Sequence, residues 1–514
     1  MIAAVCWVPR GAAKPIPDAA EPPSQDEIQA LLQTHQLEGP DAAESSGNED
    51  EDSVDVMENA ANGSSGNLDG AVATALAAAS ALGMGHQKKL DNLADSLAEL
   101  DMDNYDDEDE GAKIFGNGGL GAAYYGSNDD DPYLANKDDE DDEEIEDMTI
   151  KESDLLIVTA RNEDDVSHLE VWVYEEAKDE ESNMYVHHDI MLPAFPLSLA
   201  WLDCDLKGGE KGNYVAVGTM QPEIEIWDLD VLDEVEPAVV LGGHVKQSRK
   251  AEVSEEKKRK KKKKKDVKLK EGSHSDAVLG LAWNFEYRNV LASASADCLV
   301  KIWDVTTQKC EQTLHRHSDK VQAIVWNPQE PTTLLSGSFD RTLVVMDMRA
   351  PAHDGIRWNV PADVESLAWD PHFSQYFIVS LEDGTVRAHD IRSSTGSGQK
   401  TLFTLHSHEK AVCSISYNPS ARNLLATAST DKMVKLWDIT NNQPSCIASI
   451  NPKVNKAPEL LTSVFWQGAV FSSSFCKDSP NLLAVGGSKG NLEVWDILTV
   501  TGVVERYGRR LQKH

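Results

Sequence analysis

Short apolar runs separated by polar turns fill the second half of the chain. Leu291-Ala-Ser-Ala-Ser-Ala-Asp297 leads to Val300-Lys-Ile-Trp303-Asp304. Leu334-Leu-Ser-Gly-Ser-Phe-Asp340 leads to Leu343-Val-Val-Met346-Asp347, and Phe377-Ile-Val-Ser-Leu-Glu-Asp383 to Val386-Arg-Ala-His389-Asp390. Leu424-Leu-Ala-Thr-Ala-Ser-Thr-Asp431 leads to Val434-Lys-Leu-Trp437-Asp438. From Trp303 to Met346 is 43 residues, from Met346 to His389 is 43, and the next step, to Trp437, is 48. Runs of this length, rich in β-branched residues and bounded by turn formers, predict strands. A fixed period of this size predicts a repeat architecture.

A second series keeps phase with the first. Trp283, Trp326 and Trp369 stand 43 residues apart, and Tyr417 and Trp466 follow at wider steps. Each ends a run such as Val321-Gln-Ala-Ile-Val-Trp326, and the Asn-Pro or Asp-Pro after some of them is a turn signal. Leu197–Trp201, Tyr214–Gly218 and Ile224–Asp228 form a weaker unit upstream. Val464–Trp466, Leu482–Gly486 and Leu492–Asp496 form one downstream. Leu155–Thr159 and Leu169–Trp172 supply two strands of a further unit, whose opening strand is found at Ala3–Pro9. The total is seven. A four-stranded blade has two apolar faces, and radial stacking buries both. The expected fold is therefore an all-β, seven-bladed propeller. Its boundaries are predicted as a first strand within residues 1–9, an insertion over 10–150, the propeller over 151–508 with a loop insertion at 246–272, and a basic tail at 509–514. With the N-terminal strand opening a blade, the outer strand of the last blade is expected from Gly502–Tyr507. Side-chain packing between blades one and seven would then close the ring.

Matching polar residues recur within the units. His274, Ser295, Asp297 and Trp303 form one set, and His408, Ser429, Asp431 and Trp437 another. His317, Ser338 and Asp340 form a third, in which Met346 replaces tryptophan. A set repeated once per blade reads as a structural hydrogen-bond network rather than a catalytic triad. No nucleophile–base pair or metal cluster stands outside it, so neither enzymatic activity nor a cofactor is expected.

Charge changes the picture outside the blades. The chain has 514 residues and a formal net charge of -39. Between Glu99 and Asp147 lie 20 Asp or Glu residues and two Lys, a self-repelling stretch that predicts disorder over much of the first insertion. Within it, Ser24-Gln-Asp-Glu27 reads as a capping box ahead of a short helix near 25–37. Leu90, Leu93, Leu97 and Leu100 form one apolar stripe of a helix over 88–101. That stripe has no core of its own; it docks on the propeller or on a partner. Tyr124, Tyr125, Tyr133 and Leu134 interrupt the acidic run and suggest a further docking element. Ser46 and Ser53 sit among acids, as the substrates of acidophilic kinases do.

The second insertion carries nine consecutive basic residues: Lys257, Lys258, Arg259, Lys260, Lys261, Lys262, Lys263, Lys264 and Lys265. A nuclear or nucleolar import signal is the leading reading, and contact with an RNA backbone is compatible with it. The seven cysteines are scattered, without a CxxC pair, and are expected as small buried hydrophobes in a reducing compartment. No apolar run reaches eighteen residues, so no membrane span is expected.

The chain resembles the periodic tryptophan protein 1 family of WD-repeat proteins. The resemblance is carried by Met1-Ile-Ala-Ala-Val-Cys-Trp7-Val-Pro9, by Tyr124-Tyr125 through Asp131-Pro-Tyr133-Leu134 with the acidic run after it, and by Leu155–Ala160 and Glu170-Val-Trp172-Val-Tyr174. The alanine-rich linker and the long basic run depart from the expected pattern. The resemblance implies a nucleolar WD40 phosphoprotein that acts as a scaffold in ribosome biogenesis, in large-subunit assembly and pre-rRNA processing. Its partners would be proteins of pre-60S particles and pre-rRNA. It also implies a link to chromatin at ribosomal RNA genes, so a histone-binding adaptor stands as the alternative, with a ubiquitin-ligase substrate receptor as a third class.

Overall fold

Among the described residues, each tryptophan-ended run becomes one strand of a blade, because alternating side chains cover the two faces of a twisted sheet. The computed structural model describes residues 1–20, 148–163, 166–176, 182–206, 211–245, 268–350, 353–394, 401–450 and 468–511. They form a seven-bladed β-propeller. Blade one joins Ile2–Val8 to Leu155–Glu163, Val166–Glu175 and Asn183–Leu192. Blade two contains Pro196–Leu202, Tyr214–Thr219, Ile224–Asp228 and Val239–Leu241. Blades three to six follow with four antiparallel strands each. Their innermost strands are Val278–Trp283, Val321–Trp326, Val364–Trp369 and Ser414–Tyr417. Blade seven is a three-stranded sheet of Val470–Phe475, Leu482–Gly487 and Leu492–Asp496.

Neighbouring blades share apolar clusters and a repeated stitch. The indole Nε1 of Trp326 donates to Ala282 O (3.0 Å), and that of Trp369 to Val325 O (3.3 Å), each on the preceding inner strand. Trp7 does the same across the closing seam, donating to Ser474 O at 2.9 Å. Ile2, Ile157, Ala484 and Leu492 pack there with Val5 and Trp172. The ring thus closes by packing and by the same stitch that joins interior blades, with no exchanged strand among the described residues. Just past the same ends of the inner strands, asparagines tie the turns together. Asn284, Asn327 and Asn418 donate to Pro331 O, Ser374 O and Pro480 O of the following blade.

Four expectations change. Thr501–Leu511, expected as an outer strand with a basic tail behind it, is a helix, α1. Val503, Tyr507 and Leu511 recur every fourth residue and bury one face, while Arg509 and Arg510 lie in the last turn, where the helix dipole favours them. The opening strand of blade seven is Val470–Phe475, and Val464–Trp466 lies outside the described residues. The first insertion begins as ordered chain: Asp18–Ala19 pairs in parallel with Val231–Leu232, and Ile150 N donates to Pro15 O at 2.7 Å. Of the cysteines, Cys204 and Cys476 are buried, four are half-buried and Cys446 is exposed.

Gly486 sits at the closing seam, where an added Cβ would lie 2.6 Å from Ile2 Cγ2 and 2.9 Å from Val5 Cγ2. Gly486→Val is expected to lower unfolding free energy by about 1–3 kcal/mol through overpacking. Urea denaturation checks this; an unchanged midpoint would show that the seam does not constrain the ring.

Candidate interaction surface

The polar set repeated in the blades assembles at one end of the propeller, where each outer strand crosses to the next inner strand. In blade three His274 is fully buried. Its Nε2 lies 2.7 Å from Ser293 Oγ and its Nδ1 2.9 Å from Asp297 Oδ2. Trp303 Nε1 donates to the same Ser293 Oγ at 2.8 Å. An indole can only donate, so the serine hydroxyl must give its own proton to His274 Nε2. That places the histidine proton on Nδ1, aimed at the aspartate. Blade six repeats the chain, with Trp437 Nε1 to Thr427 Oγ1 (3.0 Å), Thr427 Oγ1 to His408 Nε2 (2.8 Å) and His408 Nδ1 to Asp431 Oδ2 (2.8 Å).

The hydroxyl that meets histidine is therefore two residues before the serine of the recurring set. Ser293, Ser336 and Thr427 hold that place, not Ser295, Ser338 and Ser429. Side chains alternate, so Ser293 and Ser295 share a face, and only the nearer one reaches the imidazole. Ser295, Ser338 and Ser429 serve the adjacent turns. Each accepts from the aspartate N–H two residues on and donates back to a carbonyl just ahead of the inner strand. One sequence signal would have found the right hydroxyl: it stands ten residues before Trp303, Met346 and Trp437 alike.

Departures show how the site tolerates replacement. In blade four Met346 takes the tryptophan place, and Thr342 Oγ1 joins His317 and Asp340. Blade five keeps only the aspartate, Asp383, which accepts from Thr385 Oγ1 at 2.6 Å, with Val360, Val379 and His389 where blade three has histidine, serine and tryptophan. His389 is buried, stacks on Phe377 at 5.4 Å, and has no hydrogen-bond partner on either ring nitrogen. Burial, with Arg387 nearby, pushes its pKa down to about 4. Burial also lowers the pKa values of His274, His317 and His408, against the opposing pull of their aspartates. The imidazoles are neutral at physiological pH. Their hydroxyls are fully buried at Ser293, Ser336 and Thr427, so the set cannot present a nucleophile to a substrate. Among the described residues no group of three or more His, Cys, Asp or Glu is arranged to hold a metal.

The network also anchors the second insertion. Gly243 N donates to Ser273 Oγ (2.9 Å), which donates to His274 O (2.8 Å). Val245 N donates to Lys268 O and Lys270 N to Gly243 O, both at 2.9 Å, around a bridge between His244 and Leu269. The two ends of the basic loop are thus clamped beside a rigid core network. The first insertion is clamped as well. It departs along Val231–Leu232 and returns at Met148, whose carbonyl meets His187 Nε2 at 2.9 Å. The basic run at Lys257 to Lys265 lies outside the described residues, as do Leu90, Leu93, Leu97, Leu100, Tyr124, Tyr125, Tyr133, Leu134, Ser46, Ser53 and both helices expected near 25–37 and 88–101.

Three stretches, residues 267–304, 308–347 and 399–438, match the WD domain, G-beta repeat family. They are the stretches that hold His274, His317 and His408 with their partners. The chain is 40% identical to an uncharacterized WD repeat-containing protein of Schizosaccharomyces pombe, over 81% of this chain and 77% of that protein. It is 31% identical to periodic tryptophan protein 1 of Saccharomyces cerevisiae, over 100% of this chain and 90% of the relative. It is 29% identical to the periodic tryptophan protein 1 homolog of Drosophila melanogaster, over 68% and 69%.

Ser293→Ala leaves the Trp303 N–H and His274 Nε2 unpaired and is expected to cost about 1–3 kcal/mol. Ser293→Thr should restore most of this, since Thr427 does the same work in blade six. Denaturation of the two variants checks the pair, and equal losses would reject the bridging role. The depressed histidine pKa values also set a pH dependence. The unfolded chain takes up protons first, near its ordinary value of about 6.5, so stability should fall as pH drops from there toward 4. His389→Phe removes one such group, and its melting temperature should fall less than that of the parent between pH 7 and pH 5.

Proposed function

Because the chain belongs to the periodic tryptophan protein 1 family of WD-repeat proteins, we propose that it is a non-enzymatic scaffold in nucleolar assembly of the large ribosomal subunit and in pre-rRNA processing. One observation carries the scaffold reading: a closed propeller holds two long segments of opposite charge by clamped bases, one acidic and one basic. A rigid body with charged extensions suits the binding of several partners at once, because each extension binds locally while the blades fix their spacing. Assembly in the nucleolus follows the family resemblance and suits the basic run. That run carries charge but no base-reading groups, so its contact with RNA would be backbone-directed and salt-dependent.

The full-length protein is expected to co-sediment with large-subunit precursors and to be released from them by RNase. Retention on nuclease-solubilised nucleosomes, with capture of histone tails, would replace this reading with that of a chromatin adaptor. Replacing Lys257 to Lys265 by serine should abolish nucleolar accumulation, followed by imaging of a tagged chain. It should leave the melting temperature unchanged, because the clamp at Gly243 and Lys270 lies outside the run.

A further inference from the structure

Rings and guanidinium groups alternate across one end of the propeller, the end where the inner strands finish, away from the histidine networks. Arg392 Cζ lies 5.8 Å from the centre of the Tyr376 ring. The Tyr376 and Phe373 rings are 5.7 Å apart, inclined at 57°. Arg422 Cζ lies 5.6 Å from the centre of the Phe373 ring. Ring faces attract cations at this distance, and rings attract one another. The row crosses from blade five to blade six.

Turn chemistry sets the row in place. Asp370 is buried, and its Oδ1 accepts from His372 N at 2.8 Å, which curls the turn after Val364–Trp369. Asn327 Nδ2, from the blade before, donates to Ser374 O at 2.8 Å and pins the far side of that turn. Phe373 is held between these two ties and stays 37% exposed. In blade six Asn418 Oδ1 accepts from Ser420 N and Ala421 N, and the next residue, Arg422, points into solvent. A single exposed ring is ordinary on a protein surface. A ring flanked by a second ring and an exposed guanidinium is a narrower feature.

The helix α1 adds charge to the row. Its buried residues Val503, Tyr507 and Leu511 share one apolar cluster with Ala421 and Leu424, which brings its last turn beside Arg422. His372 feels both elements: burial lowers its pKa, Asp370 opposes this, and Arg422 and Arg510 lower it further. Neighbouring arginines are neutralised by aspartates. Arg349 meets Asp347 at 2.7 Å and Arg392 meets Asp390 at 2.8 Å, each two residues earlier, while Arg506 of α1 meets Asp438 at 3.1 Å. Among the described residues Arg422, Arg509 and Arg510 have no carboxylate in ion-pair range, and Glu505, one turn before Arg509, does not bridge to it. Acids outnumber bases by 87 to 48 along the chain, so three grouped arginines without an acid mark a place that receives negative charge.

We propose that Tyr376, Phe373 and Arg422 form a stacking platform for single-stranded RNA, with Arg509 and Arg510 receiving its phosphates. An acidic peptide would need the cations alone. Interleaved rings suit unpaired bases, whose faces stack on aromatic side chains and on guanidinium planes. The platform deepens the scaffold reading and rests on it for the presence of RNA. It is also a second, separate contact. The basic loop is rooted at Gly243 and Lys270 beside His274, at the end where outer strands cross to inner ones. The platform lies at the other end, so an RNA that reaches both is held across the rigid body.

Fluorescence anisotropy with a labelled single-stranded oligouridine tests this. The protein is the full chain with Lys257 to Lys265 replaced by serine, which removes the competing basic run. That chain should still bind. Phe373→Leu should weaken binding about tenfold through loss of one stacked base. Arg510→Gln should weaken it and also flatten the salt dependence by about 0.7 in logarithmic slope, a change that a merely structural arginine would not produce. Phe285→Leu, which removes an exposed ring from the corresponding turn of blade three, should alter neither quantity. Melting temperatures equal to the parent's show that the variants are folded. Unchanged affinity in Phe373→Leu and Arg510→Gln overturns the platform, as does an equal loss in Phe285→Leu. If replacing the basic run alone abolishes binding, the platform fails, while RNase-sensitive co-sedimentation of the unaltered chain still upholds the scaffold reading. A loss with Arg510→Gln but not with Phe373→Leu, together with competition by polyglutamate, assigns the arginines to an acidic protein segment instead. Binding that appears only after deletion of residues 23–140 assigns them to the first insertion, and likewise rejects RNA as the occupant.

Discussion

A propeller blade has two apolar faces, and no blade can cover both by itself. Every face must find a neighbour, so the ring must close, and the first and last blades carry that demand. Here it is met by Ile2 and Val5 lying against Gly486, and by the Trp7 indole reaching Ser474 O. The interior blades use the same stitch at Trp326 and Trp369. The seam differs from the other joints in the order of its strands and not in its chemistry. Blade one is split in sequence, yet among the described residues each blade keeps its strand pairing to itself.

The buried His–hydroxyl–Asp chains secure the opposite demand, that polar turns be held to apolar strands. Tryptophan sets their direction: a group that can only donate fixes the proton of the next group, and so on to the carboxylate. Where tryptophan is lost, as at Met346, a threonine joins the set. Where histidine, hydroxyl and tryptophan are all lost, as in blade five, the site becomes aromatic packing around His389 and Phe377. The position is a packing site that the network occupies when it is complete.

Much of this was readable in the sequence because it is periodic. The blade count followed from tryptophan spacing, and the split first blade from Trp7 and Trp172. Ser295 ties the turn to the strand, while Ser293, the serine that meets histidine, is not singled out by the sequence motif, because both lie on one face and the motif emphasises the one nearer Asp297. The helix at Thr501–Leu511 was misread because Val503-Val504 suggests a strand, while the spacing of Val503, Tyr507 and Leu511 marks a helical face. Such singular elements have no second copy against which to check a reading. The same holds for the ordered start of the first insertion, which depends on a two-residue pairing with blade two.

The split first blade bears on how the chain comes to be folded. Ile2–Val8 pairs with Leu155–Glu163 and packs beside Pro196–Leu202 of blade two, but its contacts across the seam wait for Leu482–Gly487. These partners are separated by most of the polypeptide, which raises contact order and delays the reward for closing the loop. During synthesis the earliest strand must remain without its seam until the last blade emerges. Blades three to six, built from consecutive strands, can form as local units meanwhile. The final step of folding would then be capture of the oldest strand by the youngest blade, and an N-terminal fusion that slows that capture should trap an open ring.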